Sequence, residues 1–136
     1  MTGLWRKLSM YFSAGALGGL INSVALWVFG SLGLTASLGV RLAPSFTVPW
    51  LYPRIVWGGI WGAAFLVPVS KGFPLRRGFL LSLAPTAFQL FYVFPRMAHK
   101  GMFGFDLGTM TPAFVIVFNA VWGITAAYWL RYVRED

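Results

Sequence analysis

Cysteine is absent from this 136-residue chain, which excludes disulfides, thiol chemistry and Cys-ligated metals. Acids are scarce: Asp106, Glu135 and Asp136 stand against 11 Lys and Arg, and charged residues make up only 10% of the chain. A soluble domain carries about a quarter of its residues as charges, so this chain lacks the polar surface to face water all round. Histidine occurs once, at His99. One His and one Asp in the same loop do not make a usual metal site, and they do not assemble a Ser/His/Asp arrangement. No catalytic residue is assigned, and neither a metal nor a required cofactor is expected.

What the chain does have is apolar bulk: 58% hydrophobic residues, with 13 Phe and 7 Trp, and a mean hydropathy of +0.71. A chain this short cannot hide so much apolar area in one soluble core, so lipid must cover it. The formal net charge of +8 would suggest nucleic acid in a soluble protein. Here the basic residues fall between apolar stretches rather than along one face, and they read as topology and headgroup contacts. Lipid bilayer is therefore the expected partner, together with further copies of the chain or other membrane subunits, and nucleic acid is not.

The hydropathy pattern predicts an all-α integral membrane protein, a single domain over 1–136 built as a four-transmembrane-helix bundle. The helices are expected at about 9–30, 50–70, 78–94 and 112–130, with external loops at 31–49 and 95–111. At 1.5 Å per residue, the first run is long enough for a hydrocarbon core of roughly 30 Å. It is also longer than the ~7 to 15 apolar residues of a signal peptide, and is read as a retained helix. Pro53 is placed in the first turn of the second helix, with Arg54 snorkelling outward. Pro85 should kink the third helix, and Thr111 with Pro112 should cap and start the fourth. The tail RYVRED is expected in water.

Lys and Arg near the helix ends set orientation. With the N-terminus inside, Arg6, Lys7, Lys71, Arg76, Arg77, Arg131 and Arg134 face the cytoplasm and Arg41, Arg54, Arg96 and Lys100 face out. The excess favours an N-in, C-in protein of a prokaryotic plasma (inner) membrane. A short repeat, VWG at Val56 to Gly58 and again at Val121 to Gly123, fits two tandem helical hairpins related by an axis along the membrane normal.

Small residues recur at four-residue spacing: Gly15, Gly19 and Ser23; Gly58 and Gly62; Asn119, Gly123 and Ala127. Such stripes let helix backbones approach closely in lipid, where no hydrophobic drive brings helices together. They serve either the bundle itself or a docking seam. Asn22, Gln89 and Asn119 are the polar groups that could line a path or contact a ligand, or simply hydrogen-bond across the bundle. The helix interiors are read as free of ionisable groups, which argues against a proton relay. Trp57 and Trp61, one turn apart, offer a surface on which a lipid tail, quinone or pigment could stack. Arg54, Arg96, His99 and Asp106 are read as external loop charges, with Asp106 available to Arg96, Lys100 or an arginine of the first loop.

Two function classes follow. The first is a non-catalytic accessory, scaffold or lipid-contacting subunit of a membrane assembly, which should leave a glycine stripe and tryptophans facing outward. The second is a small homo-oligomeric channel or facilitative transporter, which should place Asn22, Gln89 and Asn119 on one shared face.

Overall fold

The computed structural model describes residues 2–135. It is all-helical: α1 (Thr2–Ser31), a single turn α2 (Leu34–Ser37), α3 (Val48–Trp61), α4 (Pro74–Phe88) and α5 (Thr111–Tyr132). A 3-10 turn over Gly62–Leu66 follows α3, a π-helical segment over Gln89–Met97 continues α4, and a 3-10 turn over Met102–Leu107 precedes α5.

Among the described residues, three helical runs are long and apolar enough to cross a membrane: Gly3–Ser31, Pro74–Met97 and Thr111–Tyr132. The fourth expected span, 50–70, is not found as one helix. The α-helical part of α3 has 14 residues, about 21 Å of rise, well short of a ~30 Å core. Its end follows from composition. Gly58, Gly59 and Gly62 are poor helix formers, and Pro68 cannot donate a backbone hydrogen bond, so the helix tightens into the 3-10 turn and stops. The chain nevertheless returns to the end from which it started, because Phe65 packs on Tyr11 and accepts a hydrogen bond from Arg77 Nη2.

Other boundaries also move. α1 begins at Thr2 rather than near residue 9, so Arg6 and Lys7 ride on a helix about 45 Å long that exceeds the hydrocarbon thickness. The third run passes Phe94 and Pro95 and ends at Met97. Prolines at 85 and 95 remove two backbone donors, and a shift to the wider π register is one way a membrane helix accommodates them. Thr111 is the first residue of α5 and not its cap: its hydroxyl is buried without a partner, and Met110 occupies the cap position.

α1 lies at the centre, packed on α3 along one side and on α5 along another, while α4 packs on α5. The α1–α3 and α4–α5 crossings are glycine against glycine. A Cβ on Gly58 would stand 2.8 Å from the Gly15 carbonyl and 3.0 Å from the Gly19 Cα, and one on Gly78 would stand 2.5 Å from the Gly123 carbonyl. Gly62 lies against the Tyr11 carbonyl and Gly18 against Trp122, whose indole Nε1 donates to the Gly15 carbonyl at 3.1 Å. Ala127 is buried with Ala14, Ala126 and Leu130 in the cluster near the termini. These stripes thus face neighbouring helices of the same chain. Phe79, Phe91, Ile116 and Val117 point outward instead, the expected arrangement for lipid-facing helix surfaces.

At the other end the two long connections pack together. Arg41 N donates to the Leu107 carbonyl at 2.9 Å, Gly108 lies against Gly39, and Val40 is buried beside Phe114 and Phe118.

Candidate functional site: a polar layer between two cavities

Halfway along the bundle, α1, α3, α4 and α5 each contribute one or two polar side chains to a single layer. Ser23 Oγ is bound to the Gly19 carbonyl at 2.7 Å, one turn back on α1, and accepts from Arg54 Nε at 2.8 Å. Arg54 Nη2 donates to Asn22 Oδ1 at 2.6 Å, and Asn22 Nδ2 donates to the Phe118 carbonyl of α5 at 2.6 Å. On the other side of the layer, Thr86 Oγ1 is bound to the Ser82 carbonyl at 2.8 Å and accepts from Asn119 Nδ2 at 3.1 Å. The same Asn119 amide donates to Gln89 Oε1 at 3.2 Å.

Asn22 and Asn119 therefore do not bond to each other. They share the layer through different partners. Gln89 stands where α4 passes into its π-helical segment, and that wider register sets its position.

A cavity of about 430 Å³ lies against this layer. Asn22, Arg54, Gln89 and Asn119 form its polar part; Trp57, Trp61, Phe88 and Trp122 dominate its walls. A second cavity of about 390 Å³ reaches from the same four polar residues toward Arg41, Ala43 and Trp50 at the loop end. Trp57 is 59% exposed and so stands at the rim, while Trp122 is buried. Volumes of this size lie in the lower part of the range of small-molecule sites, which are mostly apolar with a few convergent polar groups.

Arg54 is the main departure from the sequence reading. It is not an external loop charge and does not snorkel outward: it sits in α3, half-buried, with its guanidinium 5.0 Å from the Trp50 ring centroid. The helix interiors are accordingly not free of ionisable groups. Arg77 makes the same point at the end holding the termini. It is 2% exposed and pairs with Glu135, whose carboxylate also accepts from Tyr11 OH at 2.9 Å. The tail expected in water instead folds back, and Arg6 Nη1 reaches the Glu135 carbonyl at 3.3 Å. Burial pushes the Glu135 carboxyl up, but hydrogen bonds from Arg77 and Tyr11 and the Arg77 and Lys71 charges outweigh it and hold the group below the usual carboxylate range.

The remaining predicted loop charges do not join the site. Arg96, His99 and Asp106 are exposed at the loop end. Arg41 meets Asp106 at its backbone carbonyl, not its carboxylate. Among the described residues no cluster of three or more His, Cys, Asp or Glu forms.

Arg54 was within reach of sequence reasoning. Its position just before an apolar run reads as a rim charge, whereas the Ser23 hydroxyl and Asn22 amide inside the first span are the signal of partners for an interior arginine. No protein-family model, curated protein or solved structure matches the chain.

Proposed function

We propose that this chain is a non-catalytic membrane protein that holds an amphiphilic small molecule between two helical hairpins, the lipid-contacting form of the accessory reading. The observation that carries it is the cavity in which Asn22, Gln89 and Asn119 meet Arg54 under a wall of tryptophans. A polar layer beside an aromatic chamber suits a molecule with one polar end and an apolar body. A docking seam for another subunit has less support, since the glycine stripes are occupied by the chain's own helices.

α1 with α3 forms one hairpin and α4 with α5 the other. Both termini are proposed to face the cytoplasm. The basic excess supports this, as does the clasp of Arg6, Arg77 and Glu135, which gathers the start of α1, the start of α4 and the end of α5 at one end.

A facilitator for a small solute is the second reading. Its support is that the two cavities adjoin across the same four polar residues, a broken path along the bundle. Gentle extraction followed by native mass measurement tests the first reading, with a bound amphiphile of defined mass expected on the intact chain. Recovery of the chain always bare, together with solute flux in reconstituted vesicles that disappears in Asn119→Leu, would replace it with the second.

A further inference from the structure

The two hairpins carry the same contacts at corresponding positions. Gly15, Gly19 and Ser23 on α1 correspond to Gly78, Ser82 and Thr86 on α4, and Arg54 and Gly58 on α3 correspond to Asn119 and Gly123 on α5. The four-residue steps are the same in each set. Gly58 packs on Gly15 and Gly19 as Gly123 packs on Gly78 and Ser82. Ser23 Oγ bonds back to Gly19 as Thr86 Oγ1 bonds back to Ser82. In both hairpins that hydroxyl then accepts a hydrogen bond from the later helix, from Arg54 Nε in the first and Asn119 Nδ2 in the second.

This correspondence separates what Arg54 does for packing from what its charge does. The second hairpin closes with a neutral amide, so a neutral donor suffices for the joint. The positive charge in the first hairpin is additional to it. That charge is expensive: an arginine within the hydrocarbon region costs several kcal/mol unless it is paired or hydrated. Its partners here are neutral, Ser23, Asn22 and the Trp50 face. Nε and Nη2 are used, and Nη1 donates to no described protein atom. No carboxylate is at hand among the described residues, since Glu135 is on Arg77 and Asp106 is exposed in the loop. Gln89 accepts from Asn119 through Oε1, which leaves its Nε2 to donate within the same cavity.

On the reading that the cavity takes an amphiphile, we infer that the ligand has an oxyanion head, a carboxylate or a phosphate monoester on an apolar tail, and that this head neutralises Arg54. A guanidinium with a free Nη1 suits such a head, because charge-assisted bonds to carboxylate and phosphate are shorter and stronger than neutral ones. Trp57, Trp61 and Phe88 would flank the first part of the tail, and Trp57 at the rim lets the rest leave toward lipid.

The test is tryptophan quenching in the purified full chain, in nanodiscs of neutral phosphatidylcholine at alkaline pH, with 9,10-dibromostearate as probe. Saturable quenching is expected with dibromostearate, and binding weaker by about tenfold or more with its uncharged methyl ester, the size of one lost charge-assisted hydrogen bond. Arg54→Gln should abolish that difference and Arg54→Lys should retain part of it. Inorganic phosphate, offering the head without the tail, should displace dibromostearate poorly.

The ester comparison needs no variant, so a folding defect in Arg54→Gln leaves the inference open to refutation. Equal binding of acid and ester would overturn the oxyanion head while leaving an amphiphile site. Absence of quenching by both would overturn the amphiphile reading itself. Displacement by inorganic phosphate at concentrations similar to the probe would mark a free-anion site and overturn the tailed ligand.

Discussion

The molecule carries two interior arginines, and their surroundings differ in one respect that sets their roles apart. Arg77, at the end holding the termini, faces a carboxylate: Glu135 returns from beyond α5, Tyr11 and the Phe65 carbonyl complete the set, and the Phe65 ring covers the guanidinium at 5.0 Å. Arg54, halfway along the bundle, faces a hydroxyl, an amide and a cavity. A charge neutralised by its own chain fastens elements together, and the one Arg77 nitrogen left without a partner, Nε, is buried. A charge supported by neutral groups beside a cavity retains an unmet electrostatic demand. The first arginine reads as a clasp, the second as a site.

The sharpest way to break this comparison is to remove the clasp. Arg77→Ala leaves Glu135 half-buried without its cation, and is expected to cost about 3 kcal/mol of stability, read by reversible unfolding in mixed micelles. A loss no larger than that of a surface substitution would mean that the tail is not held as described. Glycine substitutions come next. Gly58→Ala and Gly123→Ala each drive a methyl into a backbone carbonyl of the paired helix, and each is expected to cost about 2 kcal/mol. Similar losses in the same assay would sharpen the correspondence of the hairpins, whereas a loss confined to one would break it.

Acid should loosen the clasp and not the layer. The Glu135 carboxyl titrates lower in the folded chain than its ordinary value of 4.5, so its stabilisation is present in full above about pH 4.5 and is lost as pH falls through the depressed folded value. Glu135→Gln should remove this acid sensitivity and cost about 1.5 kcal/mol at neutral pH, as expected for a charge-assisted hydrogen bond. An unchanged acid profile in that variant would assign the sensitivity elsewhere. Smallest of all is the expected effect of Asn119→Leu, about 0.6 kcal/mol, the typical worth of a side-chain hydrogen bond between membrane helices. Its cavity readout should change more than its stability, and unfolding together with probe quenching on the same sample separates the two.

Much of the architecture was legible because it depends on local chemistry. Long apolar runs over α1, α4 and α5 require helices in lipid, where every backbone donor and acceptor must be satisfied within the segment. The small-residue spacing marks Gly15, Gly19, Gly58 and Gly123 as points of close approach. Less legible was α3, because an apolar run of suitable length does not reveal where glycines will tighten the helix. The candidate site divided in the same way. Asn22, Gln89 and Asn119 stood out as polar residues inside apolar spans. Arg54 and Arg77 stand at the edges of theirs, where charge ordinarily faces water.

Sequence alone determined that this chain is helical and apolar enough for a membrane, that it has no thiol and few acids, and that it carries stripes of small residues at helical spacing. These are properties of neighbouring residues, and a period of 3.6 makes them visible in one dimension. Only the tertiary structure decided which arginine meets which partner. Glu135 and Arg77 are separated by most of α4 and all of α5, and Arg54 reaches Ser23 across the hairpin that joins α1 to α3. Whether a charge is neutralised depends on which helices come side by side, and that pairing set one arginine as a clasp and left the other open to a ligand.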